Sequence, residues 1–161
     1  MRDARDGVSE TVHATAIVVA HTGLLFVGSS GAGKSGMAFA CLQAALRRGW
    51  NAALIADDRT CLTVAGGRLI ASCPKPISGL LEIRGSGIVR LRQRDQAVMH
   101  LAVAPGEASA ATRLPPDDET FACNGVSTPL LRLWRDGAAD PLSMLCALQP
   151  ALFLAFDPPA G

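Results

Sequence analysis

Short apolar runs separated by clusters of glycine, proline and charge set the rhythm of the chain. Val12 to Ala20 is apolar and β-branched, a strand pattern, and Gly23-Leu24-Leu25-Phe26-Val27 is a second one. The His21-Thr22-Gly23 turn between them predicts a hairpin. Met37 to Arg48 is a run of good helix formers that ends in basic residues followed by Gly49, a stop signal. Ala52 to Ala56 is a continuous apolar strand closing on Asp57-Asp58, and Thr60–Val64 with Arg68–Ala71 predicts a hairpin turning at Gly66-Gly67.

The alternation from Leu80 to Arg92 predicts one strand, with Ile83, Val89 and Leu91 on one face and Glu82, Arg84, Arg90 and Arg92 on the other. Its two glycines, Gly85 and Gly87, argue for close approach to another group, because glycine weakens a strand that has no reason to carry it. Val98–Ala104 and Thr128–Trp134 read as further strands, Glu107 to Thr120 as an exposed loop, and Leu142 to Phe156 as an apolar helix interrupted at Pro150. Met144, Leu145, Leu148 and Leu152 lie at helical spacing and are expected in the core. Strands and helices mixed in this order predict an α/β fold with a mixed sheet.

Composition narrows the classes. With 161 residues, 49% of them hydrophobic, and a mean hydropathy of +0.27, the chain can bury a core as one domain, expected over residues 12–161 after a flexible lead over 1–11. A net charge of +1 supplies no strong field for nucleic acid or an anionic membrane, and the absence of Tyr weakens base stacking further. No apolar run approaches the ~20 residues of a membrane span, and the polar first ten residues do not read as a signal peptide, so a cytoplasmic protein is expected. Cys41, Cys61, Cys73, Cys123 and Cys146 are scattered, without metal-ligand spacing, and read as small apolar side chains in a reducing compartment.

The candidate chemistry centres on Gly28-Ser29-Ser30-Gly31-Ala32-Gly33-Lys34-Ser35, which fills every fixed position of the G-x-x-x-x-G-K-[ST] phosphate loop between a predicted strand and a predicted helix. Glycines let backbone N–H groups approach phosphate oxygens, Lys34 reaches the β/γ-phosphates, and the Ser35 hydroxyl ligates Mg²⁺. In that context the acid at the end of the next apolar strand, Asp57 or Asp58, can meet Mg²⁺ or a reacting hydroxyl. Read from the strand alone, Asp57 is a metal ligand.

Taken together, Gly28–Ser35, Ile55-Ala56-Asp57-Asp58-Arg59 and Leu81-Glu82-Ile83-Arg84-Gly85-Ser86-Gly87-Ile88 resemble the catalytic domain of the HPr kinase/phosphorylase family, over roughly residues 12 to 145. The resemblance implies a phosphoenolpyruvate-carboxykinase-like core and ATP-dependent phosphorylation of a serine on an HPr-like phosphocarrier of the phosphotransferase system. It implies that Lys34 and the loop hold the triphosphate, that Ser35 and Glu82 ligate Mg²⁺, and that Asp57 is the general base. His13 becomes the site histidine before the loop and Arg113 the late catalytic arginine. A homo-oligomer is implied too, hexameric in long members. Gly36 and Ala14 depart from the family pattern, and Leu133 to Asp140 has no counterpart to the late P-V-x-P-G-R-N segment tied to phosphorolysis. The alternatives are a P-loop kinase for a small molecule and a nucleotide-binding regulatory module without catalysis. Arg90, Arg92 and Arg94 are expected on one strand face, as carrier-docking cations or a solvated basic face.

Overall fold

The computed structural model describes residues 6–74, 79–106, 118–135 and 139–153. Eleven strands and two helices appear among them: β1 Ser9–Val12, β2 Ala14–Val19, β3 Thr22–Val27, α1 Lys34–Arg47, β4 Ala52–Ala56, β5 Thr60–Ala65, β6 Arg68–Ser72, β7 Leu80–Ile83, β8 Gly87–Arg90, β9 Gln96–Gly106, β10 Thr120–Cys123, β11 Val126–Trp134 and α2 Pro141–Leu148. A single 3₁₀ turn, Pro150–Leu152, follows α2.

The main sheet runs in the order β1-β5-β6-β9-β3-β2-β4, with β11 joined to β9 and β10 to β11. β3 and β11 pair with β9 in parallel; the other pairings in this sheet are antiparallel, so the sheet is mixed, as expected. β2, β3 and β4 are apolar apart from the buried Thr15 and Thr22 because both of their faces are covered. Ile17, Val19, Leu24, Phe26, Leu54, Leu101 and Val103 pack with α1 and α2 on one side. Ala16, Val18, Leu25 and Ile55 meet Leu62, Val64, Leu69 and Ala71 of β5 and β6 on the other. A sheet buried on both faces reads as continuous apolar runs rather than alternation.

Five local expectations change. The chain enters the sheet before residue 12: Ser9–Val12 is a strand antiparallel to β5, and Gly7 N–H donates to the Val64 carbonyl at 2.8 Å. The predicted single strand from Leu80 to Arg92 is a two-stranded sheet, β7 with β8, turning through Arg84-Gly85-Ser86. Gly85 has φ 78° and a Cβ added there would meet nothing within 4 Å, so the backbone conformation, and no crowding by protein atoms, selects glycine. Arg92 and Arg94 therefore leave that strand; they flank Gln93, which bridges to Leu54 at the edge of β4. β10 comes out of a stretch read as loop up to Thr120, and Asn124-Gly125 turns it into β11, both residues at positive φ. The predicted 142–156 helix ends at Leu148, which is exposed, while Leu142 and Leu145 are buried and Phe153 packs in the core. Arg113 lies outside the described residues.

Candidate functional site

Residues 28–33 join the end of β3 to the start of α1, so the glycine loop stands at the C-terminal end of an interior strand of the sheet. Gly33 adopts the left-handed conformation at the N-cap of α1 and offers no side-chain cap, which leaves the first-turn N–H groups of the helix facing the loop. Helix and loop together form the backbone geometry of an anion cradle. Lys34 is buried although charged, and its Nζ donates to the carbonyls of Gly28 and Ser29 at 2.8 and 2.9 Å. Ser29, Ser30 and Gly31 are exposed and Ala32 half-buried, with Ala32 N–H donating to Ser29 O at 3.1 Å.

Asp57 is the point where separate elements meet. It follows β4, and its Oδ1 accepts from Ser35 Oγ at 2.5 Å and from Thr15 Oγ1 at 2.9 Å. Its Oδ2 accepts from the backbone N–H of Glu82 at 3.0 Å. Ser35 comes from α1, Thr15 from β2 and Glu82 from β7, so a short residue, a buried strand hydroxyl and the outer hairpin are locked onto one carboxylate. The Ser35 hydroxyl and the Asp57 carboxylate put side-chain oxygens side by side, while Glu82 meets them through its backbone N–H and its own side chain is exposed. Such oxygens suit a hard cation which takes the rest of its shell from phosphate and water. Among the described residues no cluster of three or more His, Cys, Asp and Glu side chains forms a self-sufficient metal cage.

His13 sits between β1 and β2 and faces Asp58 rather than Asp57, its Nδ1 at 3.6 Å from Asp58 Oδ1. Both side chains are exposed, 79% and 69%, so even with the histidine protonated this pair stabilises by only ~0–1 kcal/mol. Asp58 itself has φ 64°, in the left-handed region, so the chain turns directly after Asp57.

Four nearby residues carry no site role in the sequence reading. Thr15 is one; it is fully buried, and no local pattern marks it as a partner of Asp57. Cys73 is another: burial and then the neighbouring Asp57 carboxylate push its thiol upward from its ordinary value. Arg84 and Arg135 are the others. Arg84 Nη1 would stand 3.0 Å from a Cβ built on Gly31, and Arg135 Nη1 donates to the Gly31 carbonyl at 3.4 Å. Arg84 lies inside the Leu81–Ile88 motif, which was a signal for it; Arg135 had none.

The sequence profile of the HPr Serine kinase C-terminal domain matches residues 7–129. An HPr kinase/phosphorylase of Azoarcus sp. (strain BH72) is 32% identical over 139 residues, covering 76% of this chain and 41% of that protein. One from Clostridium botulinum (strain Eklund 17B / Type B) is 37% identical over 82 residues, covering 51% of this chain and 25% of that protein. The chain thus spans less than half the length of these relatives. The solved structure of the Hpr(Ser) kinase/phosphatase from Coxiella burnetii superposes with a TM-score of 0.71 at 23% identity, over 91% of this chain and 92% of that one, a likeness of fold.

Proposed function

The chain belongs to the HPr Serine kinase C-terminal domain family, and from that premise we propose that it is an ATP- and Mg²⁺-dependent protein serine kinase acting on an HPr-like phosphocarrier. The observation that carries the reading is the convergence of Ser35, Thr15 and Glu82 on Asp57 at the mouth of the glycine loop. Phosphoryl transfer needs little covalent help from the protein. It needs the reactants aligned and the charge on the γ-phosphoryl neutralised.

Residues Gly28 to Gly33 hold the phosphates through backbone N–H groups, and Lys34 exchanges its two carbonyl contacts for phosphate oxygens. Ser35 and Glu82 would hold Mg²⁺, which would neutralise negative charge on the phosphates. Asp57 accepts the proton of the substrate serine hydroxyl as its oxygen bonds to the γ-phosphorus and the bond to the β-phosphate oxygen breaks, releasing ADP. Thr15 and the Glu82 N–H hold the Asp57 carboxylate in place for that proton. His13 and Arg113 complete the site by family resemblance. A cytoplasmic homo-oligomer belongs to the same proposal, and among the described residues no helix is long and apolar enough to cross a membrane.

The test is transfer of labelled γ-phosphate from ATP to an HPr-type carrier, with wild type and Asp57→Asn side by side. The expected result is labelled carrier with wild type, a loss of at least a hundredfold with the variant, and unchanged ATP binding by both. Undiminished transfer by Asp57→Asn removes the base assignment. Turnover of a hydroxylated metabolite with no carrier present replaces the protein substrate by a small molecule.

A further inference from the structure

We propose that Arg135 is a nucleotide-binding residue whose guanidinium closes over the glycine loop and takes oxygens of the bound triphosphate, a proposal that rests on the kinase reading above. Nothing in the family resemblance assigns it, because the segment from Leu133 to Asp140 has no match to the family's late motif.

The backbone of Arg135 is tied to the sheet. It follows β11, whose last residue, Trp134, pairs with Gly106 at the end of β9, and its own N–H donates to the Gly106 carbonyl at 2.8 Å. From this rim the side chain crosses to a loop about a hundred positions earlier in the sequence. A Cβ built on Gly33 would stand 2.6 Å from Arg135 Cδ and 3.5 Å from both Cγ and Nη1. The missing side chain of Gly33 is the space the arginine stem occupies, and its φ of 98° independently requires glycine. The guanidinium then reaches the Gly31 carbonyl at 3.4 Å, a long contact well beyond the usual N–H···O distance and one that a phosphate oxygen can replace. Arg84, arriving from the turn end of β7, brings a second guanidinium to the same glycine. Two planar forks converge on the centre of a loop that also carries the buried Lys34 ammonium. Guanidinium is the side-chain group best matched to phosphate, since it donates two parallel hydrogen bonds and stays charged.

Calorimetric titration of ATP and ADP into wild type and Arg135→Met separates charge from packing, because methionine keeps an apolar stem over Gly33 and removes the guanidinium. The expected result is a loss of tenfold or more in ATP affinity, with circular dichroism and thermal midpoint unchanged. ATP binding equal to wild type overturns the proposal and leaves Arg135 as a side chain that only packs on the loop. If Arg135→Met does not fold, Arg135→Gln decides by the same criterion. Absence of nucleotide binding by the wild type is a different outcome: it removes the kinase reading itself, and with it this assignment.

Discussion

Gly23 sits where β3 crosses to β9, and the fit there depends on one absent methyl group. A Cβ at this position would stand 1.9 Å from the Val98 carbonyl oxygen and 2.6 Å from Met99 Cε. The parallel register also shifts between Gly23 and Leu24, and the freed Gly23 N–H donates to His100 Nδ1 at 2.9 Å. That bond requires an unprotonated Nδ1, consistent with burial and then the Arg68 charge holding the His100 imidazole below its ordinary value. Glycine within a strand thus marks close approach of another backbone. Gly23→Ala is expected to destabilise by roughly 1–3 kcal/mol, the range for overpacking, read as a lower urea midpoint at unchanged slope. The sequence reading used the same glycine as a turn residue; the turn itself falls at Ala20 and His21, with Ala20 at φ 56°.

At the scale of elements, α2 is set by its ends. Asp140 caps it: Oδ1 accepts from Ser143 N–H at 2.8 Å and Oδ2 from Ser143 Oγ at 2.7 Å, with Pro141 in the first turn. Arg48 Nη2 donates to the same Ser143 hydroxyl at 2.8 Å, which ties the cap to the end of α1. The Ser143 hydroxyl first, then its N–H and the charges of Arg48 and Arg47, hold the Asp140 carboxyl below its ordinary 3.8. A carboxylate depressed in the folded state contributes stability that is present above its unfolded value and is lost as pH falls through the folded one. Asp140→Ala should therefore cost about 1 kcal/mol at neutral pH, and the gap between variant and wild type should close as pH falls below 3.8. Denaturation midpoints of both proteins across that range check the sign. The hairpin β7 and β8 carries the opposite lesson: its alternation was legible, but its turn was not. One strand and two paired strands give the same alternating pattern, and only Gly85 and Gly87 marked the difference.

At the scale of the molecule, curling the sheet so that β5 and β6 cover the face opposite α1 makes two buried clusters from one chain. The five free cysteines divide accordingly. Burial first, then Asp140 and Cys146, push the Cys41 thiol up to about 12, and burial first, then the Glu10 carboxylate, do the same to Cys123. The native protein should accordingly react with a thiol reagent at neutral pH only through Cys61, Cys73 and Cys146, while denaturant exposes all five. Reaction of Cys41 or Cys123 at the native rate of the others contradicts this packing. The expectation that all five are buried apolar side chains holds for Cys41 and Cys123 and not for the half-buried three.

The residues that form local patterns were legible in order. The glycine loop, the apolar run ending in Asp57, the Gly66-Gly67 hairpin and the motif around Glu82 follow from spacing and backbone preference, because strand, turn and helix are decided by neighbours a few positions apart. Asn124-Gly125 is a local turn signal of the same kind that the sequence reading passed over, and it joins β10 to β11. What the tertiary structure alone decided are the meetings between distant segments: Thr15 and the Glu82 N–H on Asp57, Asp58 rather than Asp57 beside His13, and Arg135 above Gly33. Such contacts depend on which strands pair across β9 and on the curl of the sheet. Those follow from burying the two faces of β2, β3 and β4 at once, a demand that no single stretch of sequence carries.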